Sequence, residues 1–227
     1  MVSAIIVAGG KGKRMGLGFN KVFARLGGKE IIARTISVFN KCSLIDEIIV
    51  VTGAEDIEKM RKVCRRHRFH KISTITAGGE LRQDSVYNGL QKALGDIVLI
   101  HDGARCLVTE DIIISVVRDV KTYGASATGV KVTDTLKTVD VDKNIISTVD
   151  RSQTVQIQTP QGFKREEILD LHKRLREDNV EVTDDCAVFE YYGKSMHYTE
   201  GNYDNIKITT PGDLAIGAVL LKRRLIK

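Results

Sequence analysis

The chain has 227 residues, 42% apolar and 28% charged, long enough to bury a full core and too apolar for wholesale disorder. Lys and Arg number 35 against 29 Asp and Glu, a formal charge of +6, yet aromatics are only 5% and tryptophan is missing; without interleaved stacking residues, an anionic small substrate explains the charge better than nucleic acid. No run approaches the ~18 apolar residues of a membrane span, no signal-peptide pattern opens the chain, and Cys42, Cys64, Cys106 and Cys186 are scattered without a C-x-x-C pair, so a cytoplasmic setting with no membrane partner, zinc site or disulfide framework is expected.

Ser3 to Ala8 is an apolar, β-prone run that breaks into Gly9-Gly10-Lys11-Gly12-Lys13-Arg14-Met15-Gly16, with Lys21 close behind. Such a loop presents backbone N–H groups and cations to a polyphosphate, or is a solvated strand–helix turn. It is neither of two better-known phosphate loops. Glycines at 10, 12 and 16 are one residue too wide for G-x-G-x-x-G, and neither Gly12-Lys13 nor Gly28-Lys29 completes a P-loop.

Glu30 to Asn40 carries a helical apolar repeat, Ile45 to Thr52 reads as a buried strand, Ala54 to His67 as a charged surface helix and Ile72 to Ala77 as a third strand. The alternation favours a mainly parallel, Rossmann-like sheet with helices on both faces, its ligand loops at the carboxyl ends of the strands. The loop Gly78-Gly79-Glu80-Leu81-Arg82-Gln83-Asp84-Ser85-Val86 leads into a helix through Ala93, with Arg82 and Ser85 as donors. It is a ligand loop or a capping turn.

Asp96 to Ile100 ends in His101-Asp102-Gly103-Ala104-Arg105. A carboxylate at the end of an apolar strand needs a positive partner, and Mg²⁺ escorting a triphosphate or a salt bridge to Arg105 supplies one. His101 has no nucleophile to serve and reads as a strand-end packing or hydrogen-bonding residue. Asp111 to Tyr123 is a helix and Ala125 to Val130 a strand. Asp134 to Val141 and Ile145 to Val155 then form a hairpin turning at Asp142-Lys143-Asn144. Its unpaired edges call for a second subunit. Lys164 to Glu177 is a helix, Thr183-Asp184-Asp185 caps another over Cys186 to Tyr192, and Met196 to Glu200 and Asn205 to Thr209 are short strands. Pro211 opens the last helix, and both prolines, Pro160 and Pro211, mark turns.

The ordered blocks from Ala8 to Gly16, Asn20-Lys21, Gly78 to Val86, His101 to Arg105, Asp134 to Lys137, Gln158 to Gln161, Thr183 to Asp185 and Asn205 to Thr209 resemble the 2-C-methyl-D-erythritol 4-phosphate cytidylyltransferase family, across one nucleotidyltransferase domain spanning 1–227 with a β-arm at about 133–156. The resemblance implies that CTP and methylerythritol 4-phosphate give the CDP-alcohol and pyrophosphate with Mg²⁺, in non-mevalonate isoprenoid synthesis. It implies that Ala8, Gly9, Gly10, Gly12, Gly78, Gly79 and Ser85 hold CTP, that Arg14 and Lys21 stabilise the transition state, and that Asp102, Gly103 and Arg105 face the phosphates, Asp102 also meeting the metal. Thr135 and Arg151 would come from the arm of a partner in a homodimer with shared sites, while Thr159, Thr183 and Lys207 position the substrate, Arg151 and Lys207 counting with the catalytic set. The chain departs from the family pattern at Asn20, where proline is usual, at Val22 for glutamine, at Gly103 for alanine and at Cys106 for proline. Ribitol 5-phosphate cytidylyltransferases resemble it in the glycine loop and in Asn205-Ile206-Lys207, while Ala104 leans toward the methylerythritol enzyme. A sugar-1-phosphate nucleotidyltransferase and a catalytically silent nucleotide-binding module are more distant alternatives.

Overall fold

The computed structural model describes residues 1–10, 15 and 18–226. Along the chain it places β1 (Val2–Val7), β2 (Arg25–Leu26), β3 (Lys29–Glu30), α1 (Ile31–Lys41), β4 (Glu47–Thr52), α2 (Ile57–Arg66), β5 (Ile72–Ala77), α3 (Arg82–Leu90) and β6 (Ile97–Asp102). There follow α4 (Glu110–Tyr123), β7 (Ala125–Lys131), β8 (Lys137–Val139), β9 (Ile145–Thr148), β10 (Val155–Lys164), α5 (Arg165–Glu177), α6 (Asp185–Tyr191), β11 (His197–Glu200) and α7 (Pro211–Ile226). Among the described residues, no helix is long and apolar enough to cross a membrane.

Seven strands form one sheet in the order β11-β7-β10-β6-β1-β4-β5. β1 pairs in parallel with β4 and β6, Ile5 lying opposite both Ile49 and Ile100, while β10 runs antiparallel to β6 and β7. The mainly parallel α/β architecture expected from the alternating pattern is therefore present. Apart from Ser3, whose hydroxyl donates to Glu47, β1 is apolar because both of its faces are covered. Ala4 and Ile6 pack with α1, α2 and α4, and Ile5 packs with α3, α5 and α6 on the opposite face. From β1 the order steps outward through β4 to β5 on one side and starts afresh at β6 on the other. The loops leaving β1 and β6 thus diverge and open a crevice at their carboxyl ends, where such sheets bind ligands.

Four expectations need correction. The hairpin is shorter than expected, β8 pairing with β9 only over Lys137–Val139 and Ile145–Thr148, because a turn over Arg151–Gln153, capped by Asp150, separates it from β10. β10 itself was not anticipated as a strand. Pro160 lies inside it at a register shift between Ile157 and Gln161 instead of marking a turn, which is how a residue without an N–H is tolerated in a sheet. The short β2–β3 hairpin was also missed. Finally, residues 205–209 are not a strand. The Asn205 amide donates to the Thr159 carbonyl (2.9 Å) and the Gln158 side chain (3.1 Å), and Ile208 N–H to the Ala104 carbonyl (2.9 Å), so isolated bonds replace a ladder.

Candidate active site

The crevice between β1 and β6 holds a cleft of about 270 Å³ lined by Val7 to Gly10, Lys21, Val22, Gly79 to Arg82, Ser85, Asp102, Ala104 and Lys207. The loops after β1, β5 and β6 and the 205–209 segment each contribute a wall. Two glycines shape the loop before α3. A Cβ on Gly78 would stand 2.4 Å from Ser85 Oγ, and one on Gly79 would stand 2.2 Å from Asp84 Cβ. Ser85 Oγ accepts from Gly79 N–H (3.2 Å) and donates to the Leu81 carbonyl (3.3 Å), so the turn is cross-braced and the N-terminus of α3 faces the cleft.

Asp102, the last residue of β6, is the anion around which the floor is built. Arg82 Nε lies 3.6 Å from its Oδ1, while Lys207 Nζ at 2.8 Å and Arg105 Nε at 3.7 Å approach Oδ2. Burial alone would raise its pKa, but attraction to Arg82, Lys207 and Arg105 outweighs that and holds the carboxyl well below the usual carboxylate range. Three cations against Asp102 and Asp185, the second carboxylate on Arg82, leave a net positive charge, the electrostatics of an anion site. Both Asp102 oxygens face cations, Arg82 on Oδ1 and Lys207 with Arg105 on Oδ2, so in this arrangement they are committed to ion pairs.

Behind Asp102 a directed chain of hydrogen bonds fixes the loop. Asp102 N–H donates to Thr159 Oγ1 (3.0 Å), which sits 3.0 Å from His101 Nδ1, while His101 Nε2 sits 3.1 Å from the Arg105 carbonyl. A carbonyl only accepts, so Nε2 carries the proton and Nδ1 receives the threonine hydrogen. Burial pushes the His101 imidazole down to about 4, keeping it neutral. His101 is thus a hydrogen-bonding strut, as its lack of a nucleophile suggested, and offers no base.

The cleft brings together Ala8, Gly9, Gly10, Gly79, Ser85, Lys21, Asp102 and Lys207 of the expected set. Gly78 stands just behind, its N–H donating to the Thr52 carbonyl (2.8 Å). Gly103 is buried beneath the cleft. A Cβ there would lie 3.0 Å from Ile32 Cδ1 and 3.2 Å from the Val7 carbonyl, so glycine replaces the usual alanine against a crowded wall. Thr159 is also buried, its hydroxyl committed to Asp102 and His101. Arg105 is half-buried, with Nη1 donating to the Asn205 carbonyl (2.9 Å) and so bracing the segment that carries Lys207. Thr183 is exposed before α6 and does not line the cleft, and neither do Thr135 and Arg151, which are exposed at the base of the hairpin. Arg151 Nη1 donates to the Thr133 carbonyl there (3.1 Å). Gly12 and Arg14 lie outside the described residues.

Arg82, expected as a donor of the loop before α3, has a buried partner that the sequence did not reveal. Arg82 lies 2.9 Å from Asp185 Oδ2 as well as near Asp102, and Asp185 Oδ1 is 3.2 Å from His172 Nε2. Asp185 is wholly buried. Burial favours its neutral form, but Arg82 and then His172 outweigh this and keep it ionised. The signal in the chain was a double carboxylate at Asp184-Asp185. Asp184 caps α6 by accepting from Ala187 N–H (3.0 Å), which leaves Asp185 needing a cation.

Val22 and Asn20 settle two departures. Val22 is buried in the core. Asn20 has φ −61°, the angle to which proline is locked, so the backbone keeps a path that proline would also allow.

Comparison with known proteins identifies the family. Residues 2–223 match the family model described as 2-C-methyl-D-erythritol 4-phosphate cytidylyltransferase. A relative of that name from Clostridium botulinum (strain Eklund 17B / Type B) is 47% identical over 98% of this chain and 100% of its own. The crystal structure of 4-diphosphocytidyl-2C-methyl-D-erythritol synthase from Anaerococcus prevotii superposes with a TM-score of 0.88 at 29% identity, covering 98% of this chain and 96% of that one. The Francisella tularensis 2-C-methyl-D-erythritol 4-phosphate cytidylyltransferase follows with 0.80 at 28% identity, over 96% and 99% of the two chains. By fold and by sequence over nearly its whole length, the chain belongs to the 2-C-methyl-D-erythritol 4-phosphate cytidylyltransferase family.

Proposed function

We propose that the cleft transfers the cytidylyl group of CTP to the phosphate of 2-C-methyl-D-erythritol 4-phosphate, releasing pyrophosphate. The observation that carries this reading is the convergence of Lys21, Arg82, Lys207 and the α3 N-terminus on one glycine-walled cleft around Asp102. A phosphate oxygen of the alcohol substrate attacks the α-phosphorus of CTP. The new P–O bond forms as the bond to the β-phosphate bridging oxygen breaks, and pyrophosphate leaves with that electron pair. The attacking phosphate is already an anion, so the reaction needs no general base. The barrier lies in bringing two anions together and in the charge that builds on the leaving group, and fixed cations lower both.

In this reading the nucleotide is held by the backbone from Ala8 to Gly10 and by Gly12, Gly78, Gly79 and Ser85. Lys21 and Arg14 stabilise the transition state. Asp102 holds Lys207 and Arg105 toward the alcohol phosphate, with Thr159 and Gly103 bracing it from behind. Asp102 stays paired with its cations, and a magnesium ion accompanying the triphosphate would neutralise part of its charge.

The arm supplies the rest of the site from a second copy. Val139, Val141, Ile145 and Ile146 are exposed along it, Val141 at 97%, an apolar strip that pairing of two copies would cover. Thr135 and Arg151 stand at its base, away from their own cleft, and serve the partner's site, while Thr183 helps to position the substrate. Pyrophosphate release measured with CTP and UTP, each with methylerythritol 4-phosphate and ribitol 5-phosphate, tests the reading. Turnover is expected with CTP and methylerythritol 4-phosphate, and equal or faster turnover on ribitol 5-phosphate or with UTP overturns it.

A further inference from the structure

We infer that Asn20 and Asp56 form a clip that positions Lys21, a role that rests on the reading of the cleft given above. Lys21 opens a single turn of 3₁₀ helix over Lys21–Phe23, and Asn20 is its cap, Oδ1 accepting from Val22 N–H at 3.3 Å. The Asn20 amide nitrogen has two hydrogens and both are spent, one on the Ala8 carbonyl at 2.7 Å and one on Asp56 Oδ2 at 3.0 Å. Ala8 and Lys21 both line the cleft. One buried side chain therefore sets the separation between the nucleotide wall and the lysine, and ties both to the turn that precedes α2. Lys59 of α2 adds a second hold, its ammonium lying 4.3 Å from the ring centre of Phe23 and 5.0 Å from that of Phe19 on either side of Lys21. A lysine ends in a compact charge on a flexible stem, so where its ammonium sits depends on how firmly its backbone is held. A displacement of about 1 Å at a reacting centre costs up to 10²-fold in rate.

Turnover of Asn20→Ala, Asp56→Ala, Lys21→Ala and the Asn20→Ala/Lys21→Ala pair, each with kcat and both KM values, tests the clip. Asn20→Ala is expected to lower kcat about tenfold with KM for the alcohol phosphate within twofold, and Asp56→Ala, which leaves the cap in place, to lower it about threefold. Adding Asn20→Ala to Lys21→Ala is expected to cost no further turnover, whereas a residue that merely stabilises the fold slows both backgrounds alike. Full turnover in Asn20→Ala while Lys21→Ala is impaired overturns the clip alone, as does a further tenfold loss in the pair. Full turnover in Lys21→Ala overturns the reading of the cleft and the clip with it.

Discussion

Lys207 Nζ lies 2.8 Å from Asp102 Oδ2, joining a segment that has no strand partner to the end of the sixth strand. The lysine is half-exposed while the carboxylate is buried, so the pair holds an ammonium at the mouth of the cleft with its counter-ion in the floor. Anchors on both sides keep it there. Asn205 is bonded to Thr159, and Thr209 and Thr210 donate to Asp213, whose carboxyl those bonds pull down to about 2.

Asp102→Asn removes the anion and leaves Arg82, Arg105 and Lys207 to repel one another. Turnover is expected to fall about 10²-fold, as when a preorganised group is lost from an active site. Because the carboxylate is proposed to stay paired with its cations, the magnesium concentration for half-maximal rate is expected to stay within twofold of wild type. A tenfold rise would place the metal on Asp102.

His101 gives a pH dependence with a defined window. Its folded-state value of about 4 lies below its ordinary 6.5, so the neutral form is the stabilising one. The stability it contributes is complete above pH 6.5 and is lost as pH falls toward 4, to the extent of roughly 3 kcal/mol for a fully buried group. Urea midpoints of wild type and His101→Gln between pH 4 and 7 check this: the variant is expected to show a flatter profile, and parallel curves would refute it.

Arg82→Met leaves Asp185 buried with only His172 beside it. A loss of about 3–5 kcal/mol in unfolding free energy is expected, the usual cost of breaking a buried pair by one partner. Arg82→Met/Asp185→Asn removes the stranded charge and is expected to recover most of that stability without recovering turnover. Denaturant titration together with a rate assay separates the two effects.

If arm residues complete a neighbour's cleft, Arg151→Ala and Lys207→Ala are each impaired alone but complement each other when mixed. A mixed dimer then carries one site with both residues intact, and activity is expected to return to about a quarter of wild type at equal mixing of freely exchanging subunits. Sedimentation of the wild type as a monomer, or no recovery on mixing, would contradict it.

Gly79→Ala forces a Cβ against Asp84 and so shifts the turn that presents the α3 N-terminus. KM for CTP is expected to rise about tenfold or more while KM for the alcohol phosphate holds, as steady-state titration of each substrate will show.

The local chemistry of the chain was enough to place β1, β4 and β6, because runs such as Ile48 to Val51 are β-branched and buried on both faces, and enough to locate the glycine turns of the cleft and the carboxylate at Asp102. It did not disclose β10, whose Gln158-Thr159-Pro160-Gln161 reads as a turn. In the sheet those polar groups meet partners from elsewhere in the chain, Thr128 donating to the Pro160 carbonyl and Gln161 bonding Asp184 and the Asp185 N–H. Nor did it disclose that Arg82 belongs to Asp185, or that Thr159 braces Asp102 instead of facing the cleft. Apolar periodicity is written residue by residue along the chain, whereas the pairing of buried polar and charged groups depends on which distant segments the fold brings within about 3 Å of each other, and only the tertiary structure decides that.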